Sequence, residues 1–276
     1  MLAAKGRAFQ ELHETGRSEG AFIIPNPWDV GTARLLEHLG FRALATTSMG
    51  FAFSTGRPDT TVLREEMLEH ISEIASATEL PVSADLEGGY GPAPEIVAET
   101  IRLAAQAGAV GGSIEDATGD SVRPICDIGL AADRIAAAAD AAHSLGFPFV
   151  LTARAENYLH GRPDLADTIR RLQAYQEAGA DVLYAPGLTT KQDIVDVVRS
   201  VDRPVNVVMG LRGVQLTLTE LSEIGVRRVS VGSALYRAAL GTFVRAAEEM
   251  RNAGTFSFAA EAIPPADVTA VWDSLT

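Results

Sequence analysis

The sequence has a single cysteine, Cys126, among its 276 residues, which excludes an internal disulfide. Such scarcity is typical of proteins that work in the reducing environment of the cytoplasm. Basic residues are also few, since 23 lysines and arginines stand against 36 aspartates and glutamates and leave a net charge of −13. Nucleic acids and anionic membranes attract basic patches, so we expect neither as a partner.

Long hydrophobic runs are missing as well. No run of about 18 apolar residues occurs, so no transmembrane helix is expected. Residues 1–16 are polar and helix-like, and we therefore expect no signal peptide. What remains is a globular composition, 47% hydrophobic, with enough material for one large α/β domain or two small ones.

Short apolar segments alternate with helical segments eight times along the chain, at a spacing of about 25 to 35 residues, the length of a βαβ unit. The expected strands are residues 21–25, 43–46, 81–84, 110–114, 149–153, 182–184, 205–208 and 229–231. Eight units predict a (β/α)₈ TIM barrel with extra N- and C-terminal helices, forming a single domain over 1–276. An open doubly wound sheet is the alternative, but it usually carries Gly-x-Gly-x-x-Gly after its first strand, and the turn after Pro25 has none.

Acidic residues gather where the third strand ends. The segment Pro81–Gly91 is an apolar strand that ends in Asp85 and Glu87 and then breaks into glycines. Residues two apart on an extended chain point to the same face, so both carboxylates should meet there. Such oxygens suit Mg²⁺, which needs only one or two protein carboxylates. The alternative is a solvated strand end followed by a turn, and the pair by itself does not decide between them.

Other polar side chains follow the ends of the neighbouring strands, where a barrel builds its active site. They are Asp29, Thr47, Ser48, Glu115, Asp116, Arg154, Glu156 and Asn206. Glu115 next to Asp85 and Glu87 would be costly without a cation. These three acids are therefore the predicted ligands of a metal ion.

The remaining strand-end residues allow two interpretations. Arg154 can bind a carboxylate or phosphate with both branches of its guanidinium, or it can pair structurally with Glu115 or Glu156. Asp29 and Asp116 are explained equally well as helix caps or surface charges and as functional groups.

Four motifs together resemble the isocitrate lyase / phosphoenolpyruvate mutase superfamily. In chain order they are Thr-Thr-Ser followed by Gly-Arg-Pro-Asp, then Ala-Asp-Leu-Glu-Gly-Gly-Tyr-Gly, Ser-Ile-Glu-Asp and Thr-Ala-Arg-Ala-Glu-Asn. The likeness covers residues 22–250. It implies a barrel enzyme, usually tetrameric, that uses Mg²⁺ on a 2-oxo acid and breaks or forms C–C or P–C bonds next to a carboxylate. It also implies that C-terminal helices, about 234–276 here, contact a neighbouring subunit.

The resemblance assigns roles to the motif residues. The expected metal ligands are Asp85, Glu87 and Glu115. The residues expected to bind substrate are Thr47, Ser48, Met49, Asp85, Arg154 and Asn206. The residues expected to act in catalysis are Arg154, Asp59 and Glu115. Asp59 would lie on a gating loop that runs from Met49 to Asp59.

The sequence departs from the superfamily pattern at three places. Glu87 stands where most members have aspartate. The loop 117–127 lacks the Lys-Cys-Gly-His of the lyases, whose cysteine donates a proton. Cys126 lies in that loop without the neighbouring Gly-His or a basic residue, so we interpret it as structural. Ala185 occupies the position of a histidine in the mutase and usually of a glutamate in the lyases.

The leading hypothesis is a Mg²⁺-dependent lyase-type enzyme that cleaves a C–C bond in a small 2-oxo acid such as oxaloacetate, through a stabilised enolate. Alternatives are a phosphonate enzyme that acts on a P–C bond, a non-catalytic 2-oxo acid binder, and a barrel that binds sugar phosphates at Gly232-Ser233. The five histidines are expected mostly at surface positions.

Overall fold

The computed structural model describes residues 1–14, 20–211, 213 and 215–273. Eight short strands alternate with helices along the chain. The strands are β1 Phe22–Ile24, β2 Leu44–Ala45, β3 Val82–Asp85, β4 Gly111–Glu115, β5 Val150–Arg154, β6 Val182–Tyr184, β7 Val205–Val208 and β8 Arg228–Ser230. The helices are α1 Leu2–Glu14, α2 Val30–His38, α3 Ser48–Ser54, α4 Arg64–Ser76, α5 Pro94–Gln106, α6 Ile128–His143, α7 Leu165–Glu177, α8 Lys191–Arg199, α9 Leu218–Glu223, α10 Ala234–Ala253 and α11 Pro265–Asp273. A 3₁₀ turn, Ser257–Glu261, lies between the last two helices.

The strands form one parallel sheet in the order β1-β8-β7-β6-β5-β4-β3-β2. The two end strands meet, because the Ala45 amide donates to the Pro25 carbonyl at 3.1 Å and the Asn26 side-chain amide donates to the Thr46 carbonyl at 3.0 Å. The sheet is therefore a nearly closed barrel with terminal helices, and the predicted (β/α)₈ class is confirmed. In an open doubly wound sheet, β1 would lie in the middle instead of bonding to β8.

Helix α1 covers the amino end of the barrel. Phe9 is fully buried and packs in a cluster with Phe22 and Val150 from the strands above it. A Cβ on Gly111 would lie 2.6 Å from the Phe9 ring and 2.9 Å from the Val150 carbonyl oxygen. Glycine normally weakens a strand. It is needed at this position of β4 because a side chain would collide with Phe9.

A buried cation and a buried histidine meet at the same end. Arg228, at the start of β8, donates to the Asn206 side-chain oxygen at 2.9 Å and to the Thr152 hydroxyl at 2.8 Å. Its NH1 lies 3.4 Å from Nε2 of His13, whose Nδ1 lies 2.8 Å from the Phe9 carbonyl oxygen. Nδ1–H then donates and Nε2 accepts, which is the neutral imidazole. Burial, and then the charge of Arg228, lower the pKa of His13 to about 3.

Because of this contact, the free energy of unfolding should decrease at acidic pH. The folded-state pKa of His13 lies below the unfolded value of 6.5, so unfolding takes up a proton between these two pKa values. The stabilisation is complete above pH 6.5 and is lost as the pH falls through that window, at about 1.4 kcal/mol per pH unit. We expect His13→Gln, which can keep both hydrogen bonds, to lack this slope. Urea unfolding of both proteins at several pH values between 6.5 and 4 tests this, and parallel slopes would contradict it.

Several sequence expectations about individual segments need correction. The predicted gating loop begins as a short helix, α3, and only residues 55–63 form a turn and loop. His13 and His70 are buried, 6% and 2% exposed, and not at the surface. The ends of the predicted terminal helices at Thr15 and residues 274–275 lie outside the described residues. Among the described helices, none carries an apolar stretch long enough to cross a bilayer.

Candidate active site

Arg154, the last residue of β5, is the centre of the polar cluster at the carboxyl end of the barrel. Its NH1 lies 2.9 Å from Asp85, and its NH2 lies 3.1 Å from Glu115 and 2.8 Å from Glu156. Burial works against the charge of Arg154, but the three carboxylates outweigh it and raise the pKa of the guanidinium further. The structure is thus compatible with both interpretations of Arg154. The guanidinium pairs with acidic side chains, and it does so at the predicted site.

Asp85 is held from two sides at the end of β3. One carboxylate oxygen accepts from the Ser48 amide and the Ser48 hydroxyl, both at 3.0 Å. The other accepts from Arg154 at 2.9 Å and from the Ser113 hydroxyl at 3.4 Å. The structure therefore brings together three predicted site residues, Asp85, Ser48 and Arg154, and the ordered donors around Asp85 are of the kind that bind a substrate carboxylate.

Glu87 reaches the cluster by a different route from the one the sequence predicts. Strand β3 ends at Asp85, and Glu87 has φ +49°, so the two acids do not share one face of an extended strand. In the described part of the chain, its Oε1 is buried without a hydrogen-bond partner. Burial, followed by repulsion from Asp85 and Asp59, raises the pKa of Glu87 to about 7. The charge of Arg154 lowers the pKa of Glu87 but is outweighed, so a negative charge on this carboxyl group is only partly compensated.

The predicted gating segment borders the same cluster. Burial and the charge of Asp85 raise the pKa of Asp59. The Asp59 carboxyl group therefore lies close enough to the cluster to interact with its charges. Thr47 caps α3 by accepting from the Gly50 amide at 3.2 Å and is only 3% exposed, so its hydroxyl serves the helix. The Met49 sulfur accepts a hydrogen bond from the Ser233 hydroxyl at 3.0 Å and is therefore already used within the fold.

Asp116 is neither a helix cap nor a group directed at substrate. It is 2% exposed and accepts from the Tyr175 hydroxyl at 2.6 Å, from Arg171 at 3.1 Å and from the Glu156 amide at 2.8 Å. Helix α7 thereby fixes the ends of β4 and β5. The Glu156 side chain, 3% exposed, then holds Arg154. Asp29, by contrast, is the helix cap that the sequence allowed, since it accepts from the Thr32 amide at 2.7 Å.

Arg134, on α6, is a site-supporting residue that sequence reasoning missed. It donates to the backbone carbonyl oxygens of Gly88 and Glu115, which follow β3 and end β4. Its NH1 also lies 3.2 Å from the Cys126 sulfur, so Cys126 does have a basic neighbour, contrary to the sequence interpretation. The sequence offered no signal, because this arginine comes from the following helix and not from the loop.

Two other sequence candidates are occupied within the fold. Asn206 is 2% exposed and bonds to Arg228 and Ser230 in the barrel interior, and not to any of the site acids. The amides of Val231 and Gly232 both donate to the Asn26 side-chain oxygen at 2.9 Å. The Gly232 amide, which the phosphate-binding alternative at Gly232-Ser233 would need, is therefore already used within the fold.

The charges of the polar cluster around Arg154 show whether a metal ion would fit there. Its carboxyl groups are Asp59, Asp85, Glu87, Glu115 and Glu156, and Arg154 alone pairs with three of them. Burial raises the pKa of Glu115 well above its usual value despite Arg154. Among the described residues no three such side chains converge on one point, since Arg154 lies between Asp85 and Glu115. Excess carboxylate oxygen with one unpartnered atom on Glu87 nevertheless fits a hard divalent cation in donor type and charge.

Comparison with solved structures supports an enzymatic barrel. A crystal structure from Burkholderia cenocepacia J2315, of a protein named as a candidate lyase/mutase, is 61% identical, with a TM-score of 0.96 over 98% of this chain and 96% of the other. Phosphonopyruvate hydrolase in complex with oxalate and Mg²⁺ is 26% identical, with a TM-score of 0.86 over 98% of this chain and 95% of the other. A relative with this fold thus binds Mg²⁺ and a small dicarboxylate.

Curated relatives include two carbon–carbon lyases. The 2-methylisocitrate lyase of Escherichia coli K12 is 34% identical over 64% of each chain. The oxaloacetate decarboxylase of Rhodopseudomonas palustris BisA53 is 28% identical over 82% of this chain and 78% of its own. The model of the phosphoenolpyruvate phosphomutase family matches residues 9–251. The chain belongs to this family, and with it to the phosphoenolpyruvate mutase/isocitrate lyase superfamily.

Proposed function

We propose that the protein is a Mg²⁺-dependent lyase-type enzyme of the cytoplasm that cleaves a C–C bond in a small 2-oxo acid such as oxaloacetate. The observation that carries this proposal is the Arg154 guanidinium, fixed by Asp85, Glu115 and Glu156 at the carboxyl end of the barrel. The Ser48 amide and hydroxyl donate to the other oxygen of the same Asp85 carboxylate, so these donors lie close to Arg154.

The chain's own residues would bind and orient the substrate. The Ser48 amide and hydroxyl, which now hold Asp85, are the donors for the substrate carboxylate. Arg154 presents N–H groups to the 2-oxo oxygen, where negative charge develops when the C–C bond breaks. In oxaloacetate the bond between C3 and C4 breaks, CO₂ leaves, and its electron pair remains as the enolate of pyruvate. The gating segment Met49–Asp59 would exclude water during this step.

Asp85, Glu87 and Glu115 are the residues that would hold Mg²⁺. When bound, the ion supplies Lewis-acid polarisation of the substrate carbonyl. It would also add positive charge beside the half-buried Glu87 carboxyl group, which Arg154 compensates only in part.

The missing proton donor favours a small substrate over isocitrate. The loop after β4 is short and folds back on itself through a bridge between Ala117 and Ile125, and it contains no Lys-Cys-Gly-His. General acid catalysis typically contributes about 10²–10⁴ in rate, so lyase reactions that protonate a dicarboxylate enolate should be very slow here. Water can protonate the enolate of pyruvate.

Coupled assays test the proposed reaction. Pyruvate release from oxaloacetate, corrected for the enzyme-free Mg²⁺ background, is compared with succinate and glyoxylate release from isocitrate. We expect modest, Mg²⁺-dependent decarboxylation and slower isocitrate cleavage. A faster isocitrate rate would show that this loop does supply a donor, with Cys126 the first residue to mutate. Tight binding without turnover of either compound would instead identify a non-catalytic 2-oxo acid binder.

A second candidate function is cleavage of a P–C bond. The similarity to phosphonopyruvate hydrolase favours it, and Arg154 can bind a phosphonate as well as a carboxylate. Ala185, 6% exposed, stands where the mutase has histidine and supplies no donor or base. Phosphate release from phosphonopyruvate in the same assay series separates the two reactions.

Helix α10, near the C-terminal end of the described residues, exposes apolar side chains. None of its 20 residues is buried, and it exposes Phe243 at 70%, Val244 at 44% and Leu240 at 40%. We propose that other copies of the chain cover this surface in a homotetramer. Light scattering at micromolar concentration should give a tetramer, and Phe243→Asp should dissociate it because a charge cannot be buried there without a partner. A wild-type monomer would contradict the proposal.

A further inference from the structure

One row of side chains descends through the barrel interior beneath Arg154. The strand register sets Arg154 beside Tyr184, Tyr184 beside Asn206, and Asn206 beside Arg228. Arg154 ends β5, whereas Arg228 begins β8. Because barrel strands tilt and their register is staggered, such a row runs obliquely from the carboxyl end to the amino end. We call these four residues the interior row.

Hydrogen bonds join the lower members of the interior row. Arg228 donates to the Asn206 side-chain oxygen at 2.9 Å, and the Asn206 side-chain nitrogen donates to the Ser230 hydroxyl at 3.0 Å. Tyr184 pairs with Asn206 in the strand register, so it lies beside a group of hydrogen-bonded side chains that continues to His13 in helix α1.

The upper end of the interior row is a contact between the Arg154 cation and the face of the Tyr184 ring. The Cζ atom of Arg154 lies 5.2 Å from the centre of the Tyr184 ring. The carboxylates of Asp85, Glu115 and Glu156 contact only the N–H groups along the edge of the guanidinium. The face of an aromatic ring attracts a cation that lies over it, and none of the three carboxylates has to give up its N–H donor for this contact. Tyr184 can thus hold Arg154 while its N–H groups exchange one anion for another.

We propose that Tyr184 is a positioning residue whose ring, lying under the Arg154 guanidinium, sets the orientation of that group. The proposal deepens the proposed function, because Arg154 is the group expected to meet the substrate. If the proposal is right, Tyr184 affects ligand binding only by positioning Arg154. The other buried residues of the strands have no such specific dependence on Arg154. Substitutions of Tyr184 should therefore change ligand binding only when Arg154 is present.

The first test needs no ligand and observes Arg154 itself. In ¹⁵N-labelled protein, the Nε–H resonance of Arg154 is identified by its absence from Arg154→Lys. We expect this signal to broaden or disappear in Tyr184→Leu, which removes the ring. Tyr184→Phe keeps the ring and should therefore leave the signal close to that of the wild-type protein. An unchanged Arg154 signal in a folded Tyr184→Leu protein would overturn the proposal.

The second test is a double-mutant cycle on oxalate affinity in the presence of Mg²⁺, measured by calorimetry. Tyr184→Leu should weaken oxalate binding by about 10-fold in the wild-type background, in keeping with a desolvated cation–π contact. In the Arg154→Lys background the same substitution should have less than about a twofold effect, because positioning is lost already. Equal effects in both backgrounds would mean general damage and would overturn the proposal. If the wild-type protein binds no oxalate, the proposed function fails, and the Arg154 resonance decides the role of Tyr184.

Discussion

Replacing Asp85 with alanine is expected to abolish Mg²⁺-dependent stabilisation by oxalate while the barrel stays folded. In the wild-type protein, ligand at about 100 times its Kd adds about 2.7 kcal/mol to the free energy of unfolding, or roughly 5 to 10 °C in Tm for a chain of this size. Asp85 accepts from Ser48 and Arg154 at the end of β3. Its loss removes a predicted ligand, but Glu115 and Glu156 still pair with Arg154.

The control for this substitution lies at the same end of the barrel. Asp29→Ala removes the cap of α2 and should lower stability by about 1 kcal/mol, but it should leave the shift caused by oxalate with Mg²⁺ intact. Thermal melts of the three proteins, each with and without Mg²⁺, make the comparison. Should Asp85→Ala melt too early to interpret, Asp85→Asn keeps the shape and an acceptor. A full Mg²⁺-dependent shift in either folded variant would remove Asp85 from the metal site.

Replacing Arg154 with lysine is expected to lower kcat/KM for oxaloacetate by about 10²–10³, the usual effect of losing one preorganised donor to a developing oxyanion. Lysine keeps a positive charge among Asp85, Glu115 and Glu156, so the buried acids are not left without a cation. It cannot reproduce the planar guanidinium that contacts all three at once. Neutral replacements are less informative because they threaten the fold.

Steady-state kinetics of Arg154→Lys and of Arg64→Lys provide this comparison. Arg64, at the start of helix α4, pairs with its neighbour Glu65 and with Glu99 on helix α5. It has no contact with the acids around Arg154 among these pairs, so its variant should match the wild-type protein. A folded Arg154→Lys enzyme with wild-type kcat/KM would show that Arg154 is a structural partner of the acids and nothing more.

The barrel could be predicted from the sequence because its signals are local. Eight apolar segments separated by helical ones are visible in single stretches of chain, and the parallel topology follows from the alternation. Contacts between distant segments could not be predicted in this way. The closure of the barrel by Asn26, which bonds Thr46 and the amides of Val231 and Gly232, depends on residues up to 206 positions apart.

The candidate site, like the barrel, could be predicted only where the sequence signal is local. Motif order identified Asp85, Glu115 and Arg154, and the structure places them together because they end three adjacent strands. Strand alternation predicted that Glu87 shares one strand face with Asp85, and this is wrong because the chain turns after Asp85. Tyr184 was passed over because nothing in a short apolar strand reveals which face looks into the barrel.

Calorimetric titration of the wild-type protein with oxalate, with Mg²⁺ and again with a chelator, tests the central claim most directly. Oxalate is planar and carries its negative oxygens where the enolate of pyruvate carries them, so it probes the binding of the reaction intermediate. We expect saturable binding in the presence of Mg²⁺ and its loss when Mg²⁺ is removed. Equal affinity under both conditions, or no binding under either, would contradict the account.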